Sequence, residues 1–116
     1  MKTHKDLDVW KRSIDFVTLV YELTNQFPKS EVYGLTTQLR RAAISIPSNI
    51  AEGASRKSKL EFKQFLYIAL SSGAEIDTQI IIAFNLKYID SNEQEKLTKQ
   101  LETIQKMIQG LIKSIG

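Results

Sequence analysis

Apolar residues recur at every third or fourth position through almost all of this 116-residue chain, and this helical period limits its fold more than any other feature. The first segment carries two such rows side by side, one from Leu7 to Tyr21 and one from Val9 to Phe27. No segment shows the alternating pattern that indicates a β-strand. The sequence therefore predicts an all-α protein.

Local signals divide the first half of the chain into two predicted helices. Phe27 and Pro28 end the first helix, because proline disfavours helical geometry in the residue before it. Ser30 is the predicted N-cap of the second helix, and Gly53 marks its end.

Two further helices are predicted in the second half. Ser58 and Glu61 form a capping box before the third helix, and residues 91–94 cap the fourth. Gly73, inside the third helix, indicates that another helix approaches its backbone closely. The apolar positions of the fourth helix follow a heptad pattern at Leu97, Leu101, Ile104, Ile108, Leu111 and Ile115.

Four helices of similar length joined by short turns predict an up-down-up-down antiparallel four-helix bundle, in a single domain over residues 1–116. Pro47 falls inside the second helical pattern, where it removes the hydrogen bond to the Ala43 carbonyl. We expect the second helix to be kinked at Pro47; a split into two helices is the alternative.

The first and third helices carry nearly two apolar rows each, whereas a four-helix bundle buries one stripe per helix. In so small a chain, surplus apolar surface favours a subunit interface, and we expect a homo-oligomer. The alternative is a wide core face in a tightly packed monomer.

The composition argues against an enzyme. The chain has no cysteine and a single histidine, His4, so it lacks thiolate sites and the inward Glu-x-x-His pairs of a di-iron bundle. Glu61, Glu75 and Asp77 are interpreted as surface or interhelix ion-pair residues. No catalytic residue, metal site or cofactor is predicted.

The apolar stretches of the sequence also allow a prediction of the cellular compartment. The longest apolar stretch, residues 80–84, is far shorter than the roughly 20 residues that cross a bilayer. A cytoplasmic protein without a membrane partner is expected.

The basic charge is concentrated in one part of the chain. Between Lys29 and Lys63 there are seven basic and three acidic residues, a net charge of +4, whereas the rest of the chain has a net charge of −1. This concentration favours an anionic partner such as RNA or DNA; an ordinary solvated surface, with Arg40 or Arg41 paired to Glu52 or Glu75, is the alternative. The candidate nucleic-acid contacts are Arg40, Arg41, Arg56, Lys57, Lys59 and Lys63.

Three runs of sequence carry a family resemblance: Tyr33–Leu35, Gln38–Ala43 and above all Ser45–Gly53, which reads SIPSNIAEG. They resemble the bacterial four-helix-bundle family encoded in 23S ribosomal RNA intervening sequences, also called the S23 ribosomal protein family. The resemblance implies a barrel-like homopentamer. A relative of that family, the accessory variability protein of diversity-generating retroelements, is a basic pentamer that binds nucleic acid and a reverse transcriptase.

The motif itself admits two interpretations. In the structural one, Ser45, Ser48 and Asn49 satisfy backbone groups freed by Pro47, and the bend shapes the bundle end or a subunit contact. In the functional one, polar motif residues and the two arginines form a site for phosphate or a partner. The motif positions considered are Pro47, Ser48, Asn49, Glu52 and Gly53.

These observations predict a non-enzymatic, oligomeric bundle, a pentamer by resemblance, that binds RNA or other nucleic acid through a basic surface. The alternative is an oligomeric adaptor or scaffold for a protein partner, without a direct nucleic-acid role.

Overall fold

The computed structural model describes residues 3–116, and four α-helices make up most of them. The helices are α1 (Asp8–Thr24), α2 (Leu35–Ala54), α3 (Lys59–Asn85) and α4 (Ser91–Ile115). Short 3-10 helices at His4–Asp6 and Lys29–Glu31 precede α1 and α2. Because the described residues contain no strand, the predicted all-α, four-helix fold is confirmed.

Each helix packs against its neighbours in the chain, and α1 also packs against α4, which closes the bundle. The Phe27 and Tyr88 rings, from the turns after α1 and α3, lie 5.2 Å apart at one end of the bundle. At the other end, residues 3–5 line a groove together with residues 54–55. Consecutive helices therefore run in opposite directions within a molecule of 43 × 24 × 20 Å.

The core is formed by one apolar stripe from each helix. In α1 the buried row is the one that starts at Val9, whereas Ile14 and Tyr21 of the other row are exposed. Each large side chain that is fully buried contributes about 1.5–3 kcal/mol relative to exposure. The largest of them are Phe16, Val20, Leu39, Ile46, Ile50, Leu66, Ile76, Ile80, Leu97, Leu101, Ile104 and Ile108.

The start of α2 differs from the prediction. The helix begins at Leu35, and Ser30 lies in the preceding 3-10 helix, so its predicted N-cap role is wrong. The Glu31 carboxylate explains the difference, because its Oε1 accepts a hydrogen bond of 3.1 Å from the Leu35 N–H. A side chain four residues upstream thereby satisfies one free N–H group of the first turn.

The other helix starts lie close to their predicted positions. Ser58 is the N-cap of α3, with its Oγ accepting from the Glu61 N–H at 3.1 Å. Asp90 is the N-cap of α4, one residue before the predicted capping residues 91–94, and it forms a capping box with Glu93.

Pro47 and Gly53 both lie inside α2. The helix runs unbroken through Pro47, so the alternative of two helices is wrong, while a bend at Pro47 stays a prediction. Gly53 precedes the helix end by one residue and is buried against α3. A Cβ at Gly53 would lie 2.8 Å from the Phe65 Cβ, so close helix packing is what requires glycine there.

Gly73 lies where α4 approaches α3. A Cβ at this position would lie 2.7 Å from the Nε2 of the Gln105 side chain, so a side chain of α4, rather than its backbone, fills the space that glycine leaves.

Helix α3 is long and apolar enough, by length and composition alone, to cross a membrane. In the structure one side of it, including Leu66, Ala69, Ile76 and Ile80, belongs to the core of the bundle. A core helix of a globular bundle has the same overall composition.

Candidate nucleic-acid interface

The six predicted basic contacts fall into two groups. Arg40 and Arg41 lie in the first half of α2, while Arg56, Lys57, Lys59 and Lys63 surround the turn from α2 to α3. At 1.5 Å per residue, the groups are separated by about 20 Å along α2. They therefore do not form a single cluster within one protomer.

Arg40 is occupied by contacts within the protein. Its Nε donates to the Thr24 Oγ1 at 2.8 Å, and its Nη2 donates to the Asn25 Oδ1 at 3.0 Å. The guanidinium also lies 4.4 Å from the centre of the Tyr21 ring. Arg40 thus places a positive charge beside the C-terminal end of α1, where a cation is favoured. The alternative prediction that Arg40 pairs with a carboxylate is wrong, because the two oxygens to which Arg40 donates belong to neutral side chains.

Arg41 lies on the outer side of α2 and is exposed. It forms no ion pair with any residue that the structure describes. Of the two adjacent arginines, Arg41 is thus the one available to an external partner.

Arg56 is neutralised within the protein. It lies 2.8 Å from the Glu52 carboxylate and 3.8 Å from that of Glu61, and its guanidinium stacks 4.9 Å from the Phe65 ring centre. Exposed pairs of this kind are worth about 0–1 kcal/mol. Arg56 therefore orders the turn more than it adds charge to its surface.

The three lysines at this turn retain their charge. Lys57 and Lys59 are exposed and Lys63 is half-buried, and within residues 3–116 none of them forms an ion pair. Lys59 and Lys63 lie one turn apart on the same side of α3, where like charges repel. An external anion would relieve this repulsion. The α3 N-terminus offers an anion one free N–H group fewer, because the Ser58 Oγ already accepts from the Glu61 N–H.

Two basic residues that the sequence interpretation missed lie at the same end of the bundle. Lys5 lines the groove beside Ala54 and Ser55, and Lys113 lies in the last turn of α4, beside Tyr67 of early α3. Four antiparallel helices bring both chain ends to the level of the α2–α3 turn. The predicted topology was therefore the signal in the sequence that could have identified Lys5 and Lys113. We call the set Lys5, Lys57, Lys59, Lys63 and Lys113 the lysine end.

The motif around Pro47 does not form one polar site. Pro47 and Gly53 are buried in the bundle. The Asn49 side-chain amide donates to the Ser45 carbonyl at 2.7 Å and to the Ser45 Oγ at 2.9 Å. Ser45 in turn contacts the Ser72 Oγ of α3 at 2.8 Å.

Ser48 and Glu52, by contrast, lie on the outer surface of α2, where Glu52 pairs with Arg56. The motif therefore both seals the α2–α3 contact and shapes the exterior of α2. The predicted joint phosphate site of Ser48 and Asn49 with both arginines is wrong, because Asn49 and Arg40 point into protein contacts.

Across residues 3–116 the structure brings together no group of side chains that indicates catalysis. No three metal-ligating side chains converge within the described residues. A groove of about 320 Å³ between α1 and α4 is lined by ordinary surface residues such as Arg12, Asp15 and Lys99.

Shifted pKa values also trace to ordinary contacts. The hydrogen bond from Tyr88, helped by the Leu35 N–H, lowers the pKa of Glu31, and the same bond raises the pKa of Tyr88. The hydrogen bond and charge of Lys99 lower the pKa of Glu95, and Glu95 raises the pKa of Lys99. Both pairs are contacts between surface groups, away from any catalytic arrangement.

The fold and the site define a small all-α protein, a four-helix bundle with one lysine-rich end. Residues 5–110 match the model of the 23S rRNA-intervening sequence protein family, and the chain belongs to that family.

A crystal structure from Bacteroides thetaiotaomicron, of a protein with unknown function from the S23 ribosomal protein family, has the same fold. It superposes with a TM-score of 0.84 at 24% identity, over 90% of this chain and 98% of that chain. A comparison with curated proteins gives no match.

Proposed function

We propose that this protein is a non-enzymatic, oligomeric four-helix bundle that binds RNA or other nucleic acid in the cytoplasm through its lysine end. The observation that carries the proposal is the set of three lysines at the α2–α3 turn without ion pairs to described residues. Membership of a family named for 23S rRNA intervening sequences supports it.

The chemistry of the lysine end favours phosphate over base recognition. An ammonium group on a flexible stem is a point charge that contacts phosphate oxygens, and such contacts position a protein without reading sequence. We therefore expect binding with little sequence preference and with a steep dependence on salt, because each phosphate contact releases counterions.

Assembly increases the charge that a nucleic acid meets. In a cyclic oligomer every subunit presents the same end in the same direction, so the lysine ends of all copies form one belt. A pentamer, the state implied by the family resemblance, multiplies a modest local charge into a much larger field.

The test is an RNA and DNA titration by filter binding at several salt concentrations, with two matched triple variants. Replacing Lys57, Lys59 and Lys63 by alanine removes three lysines of the proposed interface. Replacing Lys29, Lys96 and Lys106 by alanine removes the same charge from exposed positions away from the lysine end.

We expect the first variant to lose at least about tenfold in affinity and to flatten the salt dependence by about one unit of slope per lysine. The control variant should stay close to wild type. Equal losses in the two variants would show that net charge, rather than this surface, determines binding. No affinity of the wild type at low salt would refute the proposal.

A protein-adaptor role is the alternative, and one feature favours it. Tyr33, in the turn before α2, is 95% exposed, and its neighbour Val32 is 50% exposed. Exposed aromatic side chains are typical anchors of protein interfaces. Co-purification from native cells with and without nuclease separates the two functions. A stoichiometric protein partner that nuclease treatment does not release would favour the adaptor.

A further inference from the structure

The side of α3 that faces away from the core has an unusual composition. Eight positions spaced alternately four and three residues apart form one line along this side, and all are exposed. None of the eight is charged, although 25% of the chain is. We call this set the outer line of α3: Leu60, Gln64, Tyr67, Ser71, Ala74, Thr78, Ile81 and Asn85.

The outer line is uncharged, half of its residues are polar, and it is small in its middle. Its large apolar side chains, Leu60, Tyr67 and Ile81, are 68%, 57% and 47% exposed, and Ser71 and Ala74 lie between Tyr67 and Ile81. Exposed apolar side chains aligned along one side of a helix are typical of an interaction surface. The core covers the inner side of α3, so a cover for these three side chains has to come from outside the protomer.

A second apolar face, only partly exposed, lies on the opposite part of the bundle, between α1 and α2; its Ile14 and Tyr21 are exposed, whereas Trp10 and Val17 are half-buried. On α1 it consists of the row Trp10, Ile14, Val17 and Tyr21. The contact of Tyr21 with Arg40 places this row beside α2, where Ile44 lies one turn after Arg40 and is exposed. We call these five apolar residues the α1–α2 face.

We propose that the outer line of α3 in one copy packs against the α1–α2 face of a second copy. This inference rests on the oligomeric part of the proposed function and names its interface. Two different faces of the same chain meet, so the contact is head to tail and generates a closed ring when the rotation between copies closes.

The two faces match in shape when neighbouring bundles stand side by side with parallel axes. The Ser45–Ser72 hydrogen bond fixes the heights of α2 and α3, so Ile44 lies level with Ala74. The Arg40–Tyr21 contact likewise places Val17 near the level of Ser71. Large side chains of one face therefore meet small residues of the other.

The charges beside the two faces are also complementary. Arg41 borders the α1–α2 face, and Glu75 and Asp77 border the middle of the outer line at about the same height. All three are exposed, and none forms an ion pair with a described residue. Glu75 and Asp77 are two residues apart and therefore flank the outer line on opposite sides, so head-to-tail pairing opposes Arg41 to one of them. Self-pairing of either face would bring like charges together.

The first test is sedimentation velocity of Ala74→Arg and a control, Thr103→Arg. Both residues are exposed at the middle of a helix, but Thr103 lies on α4, away from both faces. We expect Ala74→Arg to sediment as a monomer of 13.2 kDa, with a circular dichroism spectrum that shows it is folded. Thr103→Arg should retain the mass of the wild-type oligomer. An Ala74→Arg variant with the wild-type oligomer mass overturns the interface.

The second test exchanges charges. Arg41→Glu alone and the pair Glu75→Arg with Asp77→Arg should each raise the dissociation constant of the oligomer at least tenfold. The triple variant should recover most of that loss, because opposite charges then meet again. If the triple variant assembles no better than the weaker of its parents, the proposed pairing is wrong.

The outcomes also separate this inference from the proposed function. A wild-type protein that sediments at 13.2 kDa refutes both the oligomer and the interface. A wild-type monomer that binds neutral lipid vesicles would assign the outer line to a membrane surface instead. If Ala74→Arg becomes monomeric but wild-type protein binds no RNA or DNA, the interface stands and the nucleic-acid function fails.

Discussion

Helices α3 and α4 have similar lengths, 27 and 25 residues, yet their outer sides differ completely. The outer side of α4 carries charged residues such as Glu95 and Lys99, which pair at 2.8 Å. The outer line of α3 carries no charge over eight positions. Both helices share one core, so the proposed neighbour of the bundle belongs on α3 and not on the charged outer side of α4.

The largest expected effect comes from truncating one isoleucine on the core side of α3 and one on its outer side. Ile76 is 0% exposed and Ile81 is 47% exposed. We expect Ile76→Ala to lower the free energy of unfolding by about 2–5 kcal/mol, because it leaves a cavity in the core. Ile81→Ala should cost less than about 1 kcal/mol in the monomer, because its side chain is largely in water already.

Urea unfolding in the Ala74→Arg background provides the measurement, since dissociation then makes no contribution. Equal losses for the two isoleucines would mean that the outer line is part of the monomer core, against the structure.

The next largest effect concerns the close contact between α2 and α3. In Gly53→Ala the new Cβ would lie 2.8 Å from the Phe65 Cβ and 3.2 Å from the Phe62 carbonyl oxygen. Backbone must move to admit it, so we expect a loss of about 1–3 kcal/mol despite the higher helix propensity of alanine. Thermal unfolding checks this. An unchanged or higher melting temperature would show that the two helices pack less tightly.

Replacing a glycine of α4 should change the stability in the opposite direction. Nothing lies within 4 Å of the Cβ position at Gly110. Gly110→Ala should therefore raise the stability by about 0.5–1 kcal/mol through helix propensity alone. The same unfolding assay measures it. A loss of stability or of oligomer mass would place an unrecognised contact on the outer side of α4.

The smallest effect concerns Tyr88, in the turn that joins α3 to α4. Its hydroxyl donates to the Glu31 Oε2 at 2.7 Å, and this bond lowers the pKa of Glu31. A lowered pKa in the folded state stabilises the protein above the usual value of 4.5, and this stabilisation is lost as the pH falls through the lowered pKa.

Glu31→Gln should accordingly melt below the wild type at pH 7, and the difference should narrow as the pH is lowered through that range. A melting-temperature difference that is constant from pH 7 to pH 3 would show that the charge of Glu31 is not the stabilising element.

The periodic pattern was sufficient for the fold because each helix in this bundle buries a stripe with a regular spacing. Ser58 could be predicted as a cap because its partner lies three residues away. The start of α2 could not, because the Glu31 carboxylate that accepts from the Leu35 N–H is also bound by Tyr88, 57 residues further along the chain.

The candidate site was predictable only in part for a similar reason. A count of charges cannot distinguish Arg40, bound to Thr24 and Asn25, from the exposed Arg41 beside it. Nor can it place Lys5 and Lys113 near the α2–α3 turn, because that proximity depends on helix direction. Sequence fixes which residues are charged; packing decides which charges remain available.

In solution, the proposed cover of the outer line of α3 is another copy of the chain. The most direct measurement is the absolute mass of the wild-type protein by light scattering at micromolar concentration. We expect a multiple of 13.2 kDa, and about 66 kDa for a pentamer. A mass of 13.2 kDa would contradict it and would remove the summed lysine belt as well.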